Sequence, residues 1–166
     1  METDSFFPVD DPLEVIGIIK ESLGDAFSIE ELLWVIESVF VLNRIAIQRV
    51  ILPPDKTGRI FKLRDAVVIQ INNKLDRDHA QCVFCHELGH VIFNHVCETA
   101  IGYDDFMGLF HAGRIEDLAV AYRDHSNIFD DPQERAAEDL ALLLIECIER
   151  WEKSLPEIAH DIFGTE

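Results

Sequence analysis

The run His86-Glu87-Leu88-Gly89-His90 constrains this chain more than any other feature, because its spacing has chemical meaning only on a helix. Positions i and i+4 of an α-helix stand one turn apart on the same face, so the two imidazoles can converge on one cation with the Glu87 carboxylate beside them. Val83, Phe84, Leu88, Val91, Ile92 and Phe93 flank the run, so the same helix must be buried over much of its surface. Imidazoles and a carboxylate on a buried helix need partners, and a metal ion supplies one. Gly89, lacking a Cβ, lets a neighbouring element approach that helix closely.

Two histidines and one carboxylate are the donor set of a catalytic zinc site, which keeps a fourth position for water and lowers the pKa of that water towards about 7. Glu87, adjacent to the cation without binding it, has the position of a general base. The third ligand is sought downstream, where Asp131 before Pro132 opens a helix that carries Glu134 and Glu138 four residues apart on one face. That spacing assigns Glu134 to the metal and Glu138 to a ligand imidazole, which it would orient. Without the upstream motif the pair would read as a solvated acidic face.

The rest of the pattern is α+β. Asp11 before Pro12 starts a helix in which Leu13, Ile16, Ile19 and Leu23 repeat at helical spacing up to Gly24, and Ser28 with Glu31 forms a capping box for a second helix. From Arg44 the chain changes to β-branched runs broken by turn residues, and three short strands are predicted at Ile45 to Leu52, Arg59 to Leu63 and Ala66 to Ile71. Asp76 or Asp78 then caps the helix with the histidines, predicted to extend to about Cys97. A long connection with Gly102, Gly108 and Gly113 leads to a helix from Ile115 to about Tyr122. The Asp131 helix is expected to run to about Lys153, with a short last helix from Leu155 to Ile162. The 166 residues, 48% of them hydrophobic, are of single-domain size, and no internal repeat or linker divides them.

A formal charge of -18 argues against direct nucleic-acid binding; its plainest role is to keep the chain soluble, and any macromolecular partner it selects is expected to be a basic protein. The first thirty residues lack a basic leader followed by an apolar run, and no stretch approaches the roughly eighteen apolar residues of a membrane span. A soluble, cytoplasmic protein is expected. Cys82, Cys85, Cys97 and Cys147 are a poor disulfide framework, three of them crowding around one helix, and fit reduced thiols.

Val67 to His95, reading VVIQINNKLDRDHAQCVFCHELGHVIFNH, resembles the strand, loop and active-site helix of the ImmA/IrrE family of metallopeptidases. Glu134-Arg135-Ala136-Ala137-Glu138-Asp139-Leu140-Ala141-Leu142-Leu143-Leu144 resembles that family's ExEANxFAxxLL segment, and the likeness covers roughly Ile45 to Ile145. It departs from the pattern at Ala136, Glu138, Leu140 and Ile145, and in a longer stretch between His90 and Glu134. The resemblance implies a zincin-like fold, a small three-stranded sheet against the HExxH helix with further helices on either side. It implies Zn2+ held by His86, His90 and Glu134, with Glu87 as the base of peptide-bond hydrolysis. It also implies a regulatory protease that cleaves a helix-turn-helix repressor in trans, in stress responses or mobile elements.

Other readings compete for the same residues. Cys82-Val83-Phe84-Cys85-His86 is a CxxCH run, the attachment pattern of a c-type haem, but haem attachment follows export and leaves Glu87, His90 and Glu134 unexplained. Cys82 and Cys85 are read as small core residues before they are read as redox sensors or rival metal ligands. His95, five residues after His90, stands roughly 140° round a continuous helix from it and is expected to satisfy a local carbonyl. Tyr103, His111, Tyr122 and His125 are candidates to donate to a developing oxyanion. His79 and His160 read as surface residues, and Trp34 and Trp151 as core or interface anchors. The functional alternative is a non-catalytic zincin-like module that binds metal and partner without cutting, against which an intact Glu87 argues.

Overall fold

In the computed structural model of the chain, the described residues are 11–41, 43–96, 99–115 and 131–148. Their elements are α1 (Pro12–Leu23), α2 (Ile29–Val35) running on into a π-helical segment (Ile36–Val41), β1 (Arg44–Val50), β2 (Gly58–Lys62), β3 (Ala66–Asn72), α3 (Arg77–Ile92), α4 (Tyr103–His111) and α5 (Pro132–Cys147). The fold class is mixed α+β.

All seven residues of β3 are buried, as a strand covered on both faces must be. It forms the middle of a three-stranded sheet of order β1-β3-β2, parallel to β1 and antiparallel to β2. The register places Ile69 opposite both Ile47 and Ile60. The period-2 alternation then sorts the side chains. Ile45, Ile47, Ile60, Val67, Ile69 and Ile71 join the larger core with α1, α2, α3 and α5. Ala46, Phe61 and Val68 join a smaller core under α4, with Phe106 and Ile115. On that second face Arg59, Gln70 and Gln48 form a buried chain: Arg59 Nε donates to Gln70 Oε1 at 2.8 Å and Gln70 Nε2 donates to Gln48 Oε1 at 2.8 Å.

The helix starts are where the capping chemistry puts them. Asp11, Asp76 and Asp131 accept from backbone N–H groups of their first turns, and Ser28 and Glu31 exchange both bonds of the capping box at 3.0 Å. Gly24, at φ 90, ends α1 as expected.

Five expectations are corrected. α3 stops at Ile92 rather than near Cys97, because Asn94 turns into the left-handed region at φ 60. The stretch read as loop after Gly102 contains α4, with Asp104 and Asp105 in its first turn favouring the positive end of the helix dipole, and Phe106 buried. Leu13 is 67% exposed, because α1 turns Val15, Ile16 and Ile19 inwards instead. Trp34, read as a core or interface anchor, is 63% exposed and so does not belong to the core. α5 ends at Cys147 rather than near Lys153, because Ile148 takes extended backbone and bridges to Phe27. The helices expected at Ile115 to Tyr122 and Leu155 to Ile162, and Cys97, Trp151 and His160, lie wholly or mostly outside the described residues. No helix among the described residues is long and apolar enough to cross a membrane.

Among the described glycines, Gly89 is the one where an added Cβ would meet backbone closer than 3.0 Å. A Cβ there would lie 2.9 Å from both the Cα and the carbonyl oxygen of Ala137 on α5, whereas one at Gly17 on α1 would meet nothing within 4 Å. Gly89→Ala should therefore cost about 1–3 kcal/mol by forcing α3 and α5 apart, while Gly17→Ala should add about 0.5–1 kcal/mol through helix propensity. Urea unfolding of the two variants beside wild type measures both, and equal midpoints for all three would refute the close-packing reading.

Candidate metal centre

Two helices build the site. His86 and His90 fall one turn apart on α3, and Glu134 sits in the first turn of α5 behind the Asp131 cap, where the helix dipole favours a carboxylate. The Gly89–Ala137 contact brings the helices close enough for Glu134 to reach between the two imidazoles. His86 Nε2 lies 3.0 Å from Glu134 Oε1, and His90 Nε2 lies 3.1 Å from Glu134 Oε2. His90 and Glu134 are buried, while His86 keeps a little exposure.

The back of each imidazole is held separately. His86 Nδ1 is 2.9 Å from Glu138 Oε1, and His90 Nδ1 is 3.0 Å from His95 Nδ1. Glu138 stands one turn beyond Glu134, with its carboxylate on the outer nitrogen of His86 rather than between the two histidines. A carboxylate at Nδ1 favours a proton there, the tautomer that would leave Nε2 able to bind an ion.

The donor set fits a metal ion. Ligand atoms of His86, His90 and Glu134 all lie within 4.8 Å of one another. Tetrahedral zinc with bonds of about 2.0–2.1 Å needs donors about 3.3–3.4 Å apart; the two His–Glu134 contacts, each to its own carboxylate oxygen, are a few tenths of an ångström shorter than that. Burial also holds the His90 ring below the ordinary imidazole value of 6.5, against the opposing pull of Glu134 and Glu87, and a neutral imidazole is what a metal requires.

Glu87 is fully buried, on the side of α3 that faces β2. Its Oε2 would be 2.9 Å from a Cβ at Gly58, so the glycine that opens β2 is what leaves room for this carboxylate. Sequence reading passed over Gly58 as turn chemistry, although its place at the start of a strand was the available signal.

His95 is a correction. It does not lie at the far side of a longer helix; α3 has already ended, the chain reverses at Asn94 and the ring returns to His90, with centroids 5.2 Å apart. Tyr103 and His111 belong to α4, across the sheet from α3, and Tyr103 stacks with the Arg44 guanidinium 4.4 Å from its ring centre, so neither faces the site. Tyr122 and His125 lie outside the described residues. His79 is exposed in the first turn of α3, as expected.

The core reading holds for Cys85 and is corrected for Cys82. Cys85 is fully buried and burial pushes its thiol well up; Cys82 is exposed, its thiol also pushed up by partial desolvation and then by Glu138, Asp78 and Asp76. Neither is poised as a thiolate. A haem bonded to both would need two accessible sulfurs, and His86 is already turned to Glu134 and Glu138.

Comparison of the chain with family models, with curated proteins and with solved structures finds no significant match. The site therefore speaks through its geometry.

Because the folded chain resists protonating His90, acid works against folding. As pH falls below about 6.5 the unfolded chain takes up a proton that the folded chain refuses, and stability is lost. Metal-free protein should melt at progressively lower temperature from about pH 7.5 to about pH 5.5, and His90→Gln should flatten part of that slope. An unchanged slope in the variant removes His90 as its source.

Proposed function

We propose that this chain is a zinc-dependent endopeptidase with a zincin-like site of the ImmA/IrrE type, acting as a regulatory protease on a basic helix-turn-helix repressor. One observation carries the reading: two helix-borne imidazoles and a buried carboxylate converge, with a second buried carboxylate, Glu87, on the residue that follows the first histidine.

His86, His90 and Glu134 would hold the ion, and Glu138 and His95 would keep the two rings turned towards it. Zinc, when bound, supplies Lewis acidity that activates water and polarises a carbonyl. Glu87 takes the proton of the attacking water and passes it to the leaving amine, so that the scissile C–N bond breaks with both new termini protonated appropriately. Burial beside Gly58 keeps bulk water from competing for that carboxylate, which strengthens its interaction with the reacting centre.

The sheet supports a peptide as substrate. Among the described residues β2 is an edge strand; Thr99 N–H takes the carbonyl of Lys62 at its far end, while its first residue lies against Glu87, so an extended chain pairing with the start of β2 would run past the base. The excess of 32 acidic over 14 basic side chains favours a basic partner and steers it towards the protein. The same excess disfavours DNA itself. We assign the activity to one domain over residues 1–166, with its core from about 45 to 145.

The test is Glu87→Gln with zinc-loaded protein and a purified basic helix-turn-helix repressor, cleavage being followed by mass spectrometry. The variant should keep its zinc and lose roughly 10²–10⁴-fold in rate, the contribution of a positioned proton-transfer group. If wild type and variant both bind the repressor and neither cuts it, the molecule is a metal-binding interaction module instead.

A further inference from the structure

The end of α3 has a geometry of its own. Phe93 N–H donates to the Gly89 carbonyl at 3.0 Å as the last helical bond; Asn94 N–H then donates to Val91 at 3.1 Å and His95 N–H to His90 at 3.0 Å. Among the described residues Asn94 is the one non-glycine with positive φ. Those two closing bonds around a left-handed residue are a Schellman cap, in which the residue after the left-handed one is carried back over the residue five positions before it. The pair so brought together is usually apolar. Here it is His95 and His90, whose Nδ1 atoms come within 3.0 Å.

The His95 ring is fixed from other directions. It stacks on Phe93 at 5.6 Å with planes 28° apart, and Asn94 is tied to β2 by a hydrogen bond from Lys62 Nζ to its side-chain oxygen. A rigid turn thus presents one particular ring nitrogen to the buried histidine.

We propose that His95 is a positioning residue of the metal centre, delivered by the helix cap, that accepts the Nδ1–H of His90 and so commits His90 Nε2 to the ion. This rests on the reading that His86, His90 and Glu134 hold a divalent cation. Two ring nitrogens at this distance must be one donor and one acceptor. His90 gives its Nε2 lone pair to the ion and therefore carries its proton on Nδ1; His95 accepts through Nδ1 and keeps its own hydrogen on Nε2.

The choice of a neutral partner follows from burial. His90 is wholly enclosed, and Glu87 and Glu134 already place two buried carboxyl groups near it. A third carboxylate behind His90 would add like charge in a region of low dielectric. His86 opens to solvent, and its partner Glu138 is 42% exposed, so on that side an anion is tolerated. The site is built with an anionic brace at its open end and a neutral one at its closed end.

The experiment measures affinity for Zn2+ and Co2+ by chelator competition, with the visible spectrum of the Co2+ form as a second readout. His95→Phe keeps the stacking on Phe93 and removes the acceptor; it should weaken Zn2+ binding about 10–100-fold and shift the Co2+ bands, and His95→Asn, whose amide oxygen can accept, should recover most of the loss. Asn94→Gly, which keeps the left-handed turn, should bind like wild type, and Asn94→Val, which resists it, should bind like His95→Phe with His95 intact. The Asn94 pair decides the matter even if a His95 variant fails to fold. His95→Phe and Asn94→Val that match wild type in affinity and spectrum overturn the proposal alone. Wild-type protein that binds neither ion overturns the metal reading and the proposal together.

Discussion

Everything at the centre of this molecule depends on how closely α5 can approach α3. The contact is backbone on backbone, Gly89 against Ala137, and it leaves no space for even a methyl group between them. Interhelical distance is set by the side chains at the crossing point, so the smallest residue at that point fixes the nearest approach. Only at that separation can a carboxylate in the first turn of α5 reach two imidazoles on α3. The glycine inside the histidine motif is therefore a packing requirement, and the alanine opposite it is its complement.

That close approach creates an electrostatic problem as well as a site. Glu134 and Glu87 are buried, as is His90, whose ring is held neutral by desolvation. Removing such groups from water is expensive unless they are compensated, and a divalent cation between two carboxylates and two imidazoles balances them better than hydrogen bonds among themselves. The braces behind the two histidines differ in the same sense. Glu138, reached by solvent, is acidic, whereas His95, tucked under the helix cap, is neutral.

Much of the architecture was legible from local signals. Asp11, Ser28 with Glu31, Asp76 and Asp131 marked four helix starts, because capping is a bond between a side chain and its own first turn. The three strands were legible from β-branched runs, and the Glu134–Glu138 spacing picked out the two carboxylates that the structure sets against His86. The misreadings came from signals that local pattern leaves ambiguous. Glycines at 102, 108 and 113 concealed α4, whose stability comes from burying Phe106 against Phe61, 5.0 Å between ring centres. Treating Asn94 as one more helical residue sent His95 to the wrong side.

By itself the sequence determined the chemistry that this protein can carry: two histidines and a glutamate at helical spacing, a second pair of glutamates at helical spacing, and the elements that bear them. Each of these is a relation between residues a few positions apart, which helical and strand periodicity make readable. Only the tertiary structure decided that β3 lies between β1 and β2, that Gly58 makes room for Glu87, that α5 meets α3 at Gly89, and that His95 returns to His90. Those outcomes depend on contacts between segments far apart in the chain, or on a single residue's choice of a left-handed conformation, and no local period encodes either.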